Sequence, residues 1–164
     1  MDYQQSRAYI RDAEQYAGGA LDLTNIKEIM NRLGNPQDQL KYVHVAGTNG
    51  KGSVIAYLYT TLTNAGYHVG RYISPSVYSY REKIEVEGKP ISREQFAKHT
   101  TRVAAVIEEM TAEGLAHPTP FEIETAVAFL FFAEEKCDPV ILEVGMGGIT
   151  DATNLIGTTE LAVL

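Results

Sequence analysis

A chain of 164 residues, 45% of them hydrophobic, is long enough to bury one substantial core and suits a globular α/β protein. Fourteen basic against 21 acidic side chains leave a formal net charge of −7 with no basic stripe, which argues against nucleic acid as a general partner. The single cysteine, Cys137, rules out an internal disulfide and fits a reducing compartment, where its plainest role is a small buried hydrophobe.

The first fifteen residues carry Asp2, Arg7, Arg11, Asp12 and Glu14 with no apolar run, so they do not read as a targeting signal. The most apolar stretch, 125–133, is too short to span a bilayer, and a cytoplasmic protein without a membrane partner is expected. Residues 6–17 predict a helix ended by Gly18 and Gly19. Asp22 is placed to cap a second helix, with Leu23, Ile26, Met30 and Leu33 on one face and Gly34 as its stop. Residues 1–40 thus form a helical lead-in, and Asn35-Pro36 turns the chain into a strand over 41–46.

A helix with Val54, Leu58, Leu62 and Ala65 at helical spacing follows, then a strand over 68–73. Together these predict a βαβ unit with parallel strands and a right-handed crossover. Residues 74–83 read as a polar, tyrosine-rich loop and 84–91 as a small hairpin around Gly88. Ser92 with Gln95 predicts a capping box, opening a helix to about residue 113 with Phe96, Val103, Ile107 and Met110 buried. Thr119 and Glu122 predict a second box with Pro120 at the first helical position, leading into a helix apolar over most of its surface. Residues 140–144 read as a core parallel strand and 160–164 as a further one. A doubly wound sheet ordinarily continues past such a strand, so the chain reads as the N-terminal piece of a longer protein. A strand left open in this way invites pairing with a second copy.

The most informative stretch is Val43-His44-Val45-Ala46-Gly47-Thr48-Asn49-Gly50-Lys51-Gly52-Ser53. An apolar strand enters a glycine-rich turn that opens a helix, so that backbone N–H groups and the positive end of the helix dipole converge on one small space. Such a cradle takes phosphate. Lys51 supplies a mobile cation for the outer phosphates, and a hydroxyl can help hold Mg²⁺. The ordinary P-loop pattern is not met, since Val45 stands at its first glycine and Gly52 at its Ser/Thr. A glycine-rich connection that binds nothing is the competing reading; strand, loop, lysine and helix in the required order favour the cradle.

Two further segments follow strand ends, where ligands bind in such sheets: Ile73-Ser74-Pro75-Ser76, and Glu143 with Gly145 to Gly148. Glu143, closing an apolar strand, is costly unless it meets a metal or a donor. His44 reads as a packed histidine; His68, His99 and His117 show no zinc spacing. The tyrosines are mostly packing residues, and Glu108-Glu109 a solvated helix end.

The shorter motif Gly47-Thr48-Asn49-Gly50-Lys51-Gly52-Ser53 resembles the Mur-ligase type of P-loop, and within that superfamily the folylpolyglutamate/dihydrofolate synthases. Ser74-Pro75, Glu82 with Ile84, Thr119 with Phe121-Glu122, and Leu142 to Gly145 with Gly147-Gly148 and Asp151 to Asn154 follow that family's pattern in order. The early Leu21-Asp22-Leu23 is similar to its opening helix. The chain departs from the pattern at Ser76 (for histidine), Lys83 (for arginine) and Ile149-Thr150, where an arginine is expected; isoleucine cannot reproduce arginine's fork.

The resemblance implies an incomplete Mur-ligase-type P-loop ATPase domain over 41–164, with a parallel sheet flanked by helices behind the lead-in of residues 1–40. It implies ATP-dependent addition of L-glutamate to folate or dihydropteroate through an acyl phosphate, with ATP and Mg²⁺ required. ATP would be held by Gly47, Thr48, Asn49, Gly50, Lys51, Gly52 and Ser53, with Lys51 catalytic, and Mg²⁺ by Ser74 and Glu143. Asp22, Phe121, Asp151 and Ala152 would line a pterin site. The family's later metal histidine and glutamate-binding domain would lie beyond Leu164, so the piece is expected to be inactive alone. A nucleotide-binding remnant, or another P-loop NTPase or Mur-type ligase, are the alternatives.

Overall fold

Asp2, rather than Ser6, starts the first helix of the computed structural model, which describes residues 1–18 and 22–164. Its carboxylate accepts from the Gln5 N–H and the Gln5 side chain accepts from the Asp2 N–H, a capping box that sets α1 at Tyr3–Asp12. A 3₁₀ turn, Ala13–Tyr16, extends it. Gly19 and Leu21, which figured in the expected helix stop and family opening, lie outside the described residues.

The second helix, α2, runs Thr24–Arg32 with Leu23 at its N-cap. Asp22, the expected cap, therefore sits one position before the actual one, although its carboxylate still accepts from the Thr24 N–H at 2.8 Å. The buried face is Ile26, Ile29 and Met30, with Leu23 and Leu33 half-buried at its ends. The lead-in packs into the main core: Ile10, Ile26, Ile29 and Met30 belong to the same apolar cluster as Tyr42, Tyr72 and Leu142 of the sheet.

The sheet's six strands are β1 (Tyr42–Val45), β2 (Gly70–Tyr72), β3 (Ile84–Val86), β4 (Lys89–Pro90), β5 (Val140–Glu143) and β6 (Thr159–Val163), ordered β4-β3-β2-β5-β1-β6. β2, β5, β1 and β6 are parallel, while β3 and β4 add the expected hairpin antiparallel at one edge. Glu87 and Gly88 both take positive φ in its two-residue turn. β1 and β2 are parallel as expected, but β5 lies between them. β5 is buried along its whole length, which is why its sequence is apolar without alternation.

Three further helices cover the faces: α3 (Lys51–Asn64), α4 (Arg93–Ala112) and α5 (Pro120–Glu134). α3 lies on one face, where Ile55 and Tyr59 pack with Val43, Val45, Val69 and Ile141. The expected stripe is thus rotated by one residue: Val54, Leu58 and Leu62 are half-buried flanks and Ala65 is exposed. On the opposite face α5 is the central helix, buried from Glu122 to Phe132, with α4, α1 and α2 around it. Thr119 and Glu122 form the full capping box, with Pro120 at the first turn. Only half of the Ser92 box forms. Ser92 accepts from the Gln95 N–H, but the Gln95 side chain donates to Glu135, the C-cap of α5. Strand alternation places Tyr42 and His44 on the α5 face and Val43 and Val45 on the α3 face.

Candidate functional site: a phosphate cradle beside a glycine-lined cleft

The turn after β1 takes its shape from two glycines. Gly47 has φ 138° and Gly50, the N-cap of α3, has φ 80°, both in the region where a Cβ is strained. No side chain caps α3, so the N–H groups of its first turn face outward, and Gly47 to Gly50, Gly52 and Ser53 are exposed. A Cβ at Gly50 or Gly52 would meet no protein atom within 4 Å, so the space before this helix is open. Lys51 folds back over the turn, its Nζ donating to the Gly47 carbonyl at 3.0 Å.

The cradle's neighbour is β5. Glu143, at the strand's end, is only 8% exposed. Its Oε2 accepts from the Ser74 backbone N–H at 3.0 Å and its Oε1 lies 3.9 Å from Lys51 Nζ. The structure therefore brings Lys51, Ser74 and Glu143, drawn from three separate strand ends, into one place. One donor and one cation account for the burial of this carboxylate. Among the described residues no cluster of three or more His, Cys, Asp or Glu side chains forms a ready-made metal cage.

The loop that delivers Ser74 is held by Glu82, whose role was not read from the sequence beyond its match to the family pattern. Its carboxylate accepts from the backbone N–H groups of Tyr78 at 2.9 Å, Val77, and Ser79 at 3.0 Å. Those donors hold its pKa below the ordinary value. Lys83, next in sequence, pairs at 2.8 Å with the buried Glu124 of α5, which also accepts from the Tyr80 hydroxyl. Lysine at the family's arginine position thus finds an acid across the fold.

Beside the cradle lies a cleft of about 510 Å³, and Ser74 lines it too. Asp22, Phe121, Asp151 and Ala152 all line it, together with Gly145, Met146 and Gly147. Its walls come from the α2 entry, the first turn of α5 and the loop after β5. Gly145 is required by space: a Cβ there would come within 2.8 Å of Phe121 Cζ and 3.0 Å of Asp151 Oδ2. Phe121 stacks on Tyr72, with ring centroids 6.1 Å apart. Asp22 is exposed, and the Thr24 N–H holds its carboxyl below the usual value.

Asp151 is 5% exposed and closes the inner wall. Oδ2 accepts from the Met146 N–H at 2.7 Å; Oδ1 accepts from the Thr153 N–H at 3.0 Å and from the Thr153 hydroxyl. Thr153 in turn meets His44 Nε2 at 2.8 Å. Burial lowers the His44 pKa, opposed by the nearby Asp151 charge. Sequence reading left His44 as a packing residue; only the tertiary structure joins β1 to Thr153, more than a hundred residues away.

No family model matches the chain. Among individual proteins, it is 41% identical over 155 residues to a dihydrofolate synthase/folylpolyglutamate synthase of Bacillus subtilis, covering 94% of this chain and 36% of that protein. It is 36% identical over 136 residues to a dihydrofolate synthetase of Saccharomyces cerevisiae, covering 83% and 31%. Against a folylpolyglutamate synthase of Lacticaseibacillus casei it is 35% identical over 165 residues, covering 100% and 38%. Among solved structures, an FPGS–AMPPCP–folate complex superposes with a TM-score of 0.87 at 34% identity, over 95% of this chain and 38% of that one. A folylpolyglutamate synthase of Thermotoga maritima superposes with a TM-score of 0.85 at 38% identity, over 94% and 35%. The chain spans about a third of the length of these three relatives. Sequence and fold agree over nearly the whole chain: it belongs to the folylpolyglutamate/dihydrofolate synthase family, the Mur-ligase-type enzymes that the motif order pointed to.

Proposed function

We propose that this chain is the nucleotide- and pterin-holding part of an ATP-dependent ligase that adds L-glutamate to folate or dihydropteroate. The observation that carries the reading is the convergence of Lys51, Ser74 and Glu143 beside a cleft that Ser74 also lines. One site suits a triphosphate and the other a flat heterocycle, and they share an edge. The AMPPCP and AMPPCP–folate complexes of similar folylpolyglutamate synthases support the same pair of ligands.

In this reading the turn from Gly47 to Gly50 and the first N–H groups of α3 receive the phosphates, and Thr48 and Asn49 shape the turn. Lys51 leaves the Gly47 carbonyl to neutralise charge gathering on the γ-phosphoryl group. That group passes to a substrate carboxylate oxygen, leaving ADP. The glutamate amine then attacks the acyl carbon, phosphate departs, and the amine loses a proton as the amide forms. Mg²⁺ fits the donors present, since it is commonly held by one carboxylate with phosphate oxygens and waters. Glu143 and Ser74 would hold it, with Ser53 at the phosphates; bound there, it supplies charge neutralisation. Asp22, Phe121, Asp151 and Ala152 would hold the pterin, Phe121 by its ring face and Asp151 by accepting from ring N–H groups.

No described helix is long and apolar enough to cross a membrane. We place the protein in the cytosol, where ATP is plentiful. A lone buried Cys137, its thiol pushed up to about 12 by burial, suits that compartment.

Calorimetric titration of Mg-ATP into the 164-residue chain tests the nucleotide half. Saturable binding weakened at least about tenfold by Lys51→Ala, or roughly 1.4 kcal/mol, is expected. Absent binding, or binding indifferent to that substitution, would overturn it. Titration of pteroic acid, with Phe121→Ala as control, tests the cleft in the same way.

A further inference from the structure

His44 is not among the residues to which the cleft or the cradle assigns a role, yet it stands between them. It occupies the third position of β1, and three residues later the chain enters the cradle at Gly47. Its strand neighbours are Leu142 on β5 and Ala162 on β6, so the surrounding backbone is fixed on both sides. Its ring points to the α5 face and meets Thr153 in the short 3₁₀ turn Ala152–Leu155.

The hydrogen-bond directions along this line follow from counting donors. The Asp151 carboxylate accepts three bonds, from the Met146 N–H, the Thr153 N–H and the Thr153 hydroxyl. The hydroxyl has one proton, and it goes to Asp151. The Thr153 oxygen is then left to accept from the imidazole, which requires the proton on His44 Nε2. Turning the hydroxyl towards the imidazole instead would set Thr153 Oγ1 against Asp151 Oδ1 as two acceptors in contact, with Thr153 fully buried and Asp151 nearly so.

We propose that His44 is a positioning residue: by donating from Nε2 to Thr153 Oγ1 it commits the Thr153 hydroxyl to Asp151 and so fixes that carboxylate and the Met146 N–H on the cleft wall. The strand that carries the phosphate cradle thereby sets the orientation of the acid lining the neighbouring cleft. That Asp151 serves a pterin-type ligand rests on the function proposed above; the linkage itself does not.

Two measurements on the ligand-free chain test the linkage. Nitrogen-15 spectra should show the His44 proton on Nε2 and a bare Nδ1. In His44→Phe, amide hydrogen exchange at Met146 and Thr153 should quicken about tenfold or more while Ile141 and Leu142 in the core are unchanged. A third measurement uses pteroic acid as probe. Affinity should fall about five- to tenfold in His44→Phe and in Thr153→Val, fall no further in the double variant, and stay within about twofold of wild type in His44→Gln, whose amide can still donate.

A proton on Nδ1, unchanged exchange at Met146 and Thr153, or additive losses in the double variant would each overturn the proposal. Failure of the wild-type chain to bind pteroic acid would instead overturn the reading of the cleft, with the tautomer and exchange results still deciding the linkage.

Discussion

At the scale of single residues, the site is built from groups that are expensive to bury unless a neighbour answers them. Glu143 is answered by the Ser74 N–H and Lys51, Glu124 by Lys83 and Tyr80, and Asp151 by three donors. Gly145 marks the opposite limit, where any side chain at all is too much. Gly145→Ala would press its methyl against Phe121 and the Asp151 carboxylate. We expect it to cost about 1–3 kcal/mol of stability in chemical denaturation and to weaken pteroic acid binding in parallel. His99 on α4 is an exception, fully buried with neither ring nitrogen hydrogen-bonded. Burial pushes its pKa down to about 4, partly opposed by Glu134 at 3.7 Å and reinforced by Lys98 and Arg102. The folded state thus binds this proton more weakly than the unfolded chain, whose histidine titrates near 6.5. Its contribution to stability is complete above about pH 6.5, lost progressively as pH falls towards 4, and amounts to roughly 3 kcal/mol. Melting temperatures between pH 7.5 and 4.5 should show a slope that His99→Phe flattens; an unchanged slope would assign acid sensitivity elsewhere.

At the scale of elements, the turn chemistry was legible and the side-chain partners were not. Pro120 with Thr119 and Glu122 specifies a helix start with purely local atoms, so the sequence placed it correctly. Gln95 has the same spacing from Ser92, yet Glu135 at the C-cap of α5 competes for its side chain and wins. Ser92→Ala should therefore cost about 1 kcal/mol from the lost cap alone, read as a drop of a few degrees in melting temperature. Similarly, helical spacing identified an apolar side of α3, but Val54, Leu58 and Leu62 proved to be its flank. Ile55 and Tyr59 face the sheet because β1, β5 and the segment at Val69 lie beneath them. The Gly47 to Ser53 turn needed no such partner. Its conformation is set by glycines and by the helix it opens, and its sequence pattern carried the argument from the start.

At the scale of the whole molecule, the feature with the largest physical consequence is β6. It pairs with β1 on one side only, and Thr159 to Leu161 and their neighbours are largely exposed, Leu161 among them. An open parallel edge with apolar side chains invites pairing with another strand. We expect the 164-residue chain to self-associate as concentration rises, seen by sedimentation velocity, and Leu161→Lys to return it to a monomer. Monomeric behaviour of the wild-type chain at high concentration would refute this. The opposite edge is better protected, because β4 is two residues long and contains Pro90.

The sequence by itself determined the fold class, the glycine-shaped turn that opens α3 and both strand-end loops, because each rests on local rules, while the family came from the order of its motifs along the chain. Glycine dihedrals, helix caps and an uninterrupted apolar strand are all properties of neighbouring residues. Only the tertiary structure decided which of those pieces meet. It inserted β5 between β1 and β2, which brings Glu143 against Ser74 and Lys51. It closed the cleft with Asp22, Phe121 and Asp151 from three distant segments, and it joined His44 to Thr153. Strand order and long-range hydrogen bonds depend on how complete surfaces pack, and no local pattern encodes them.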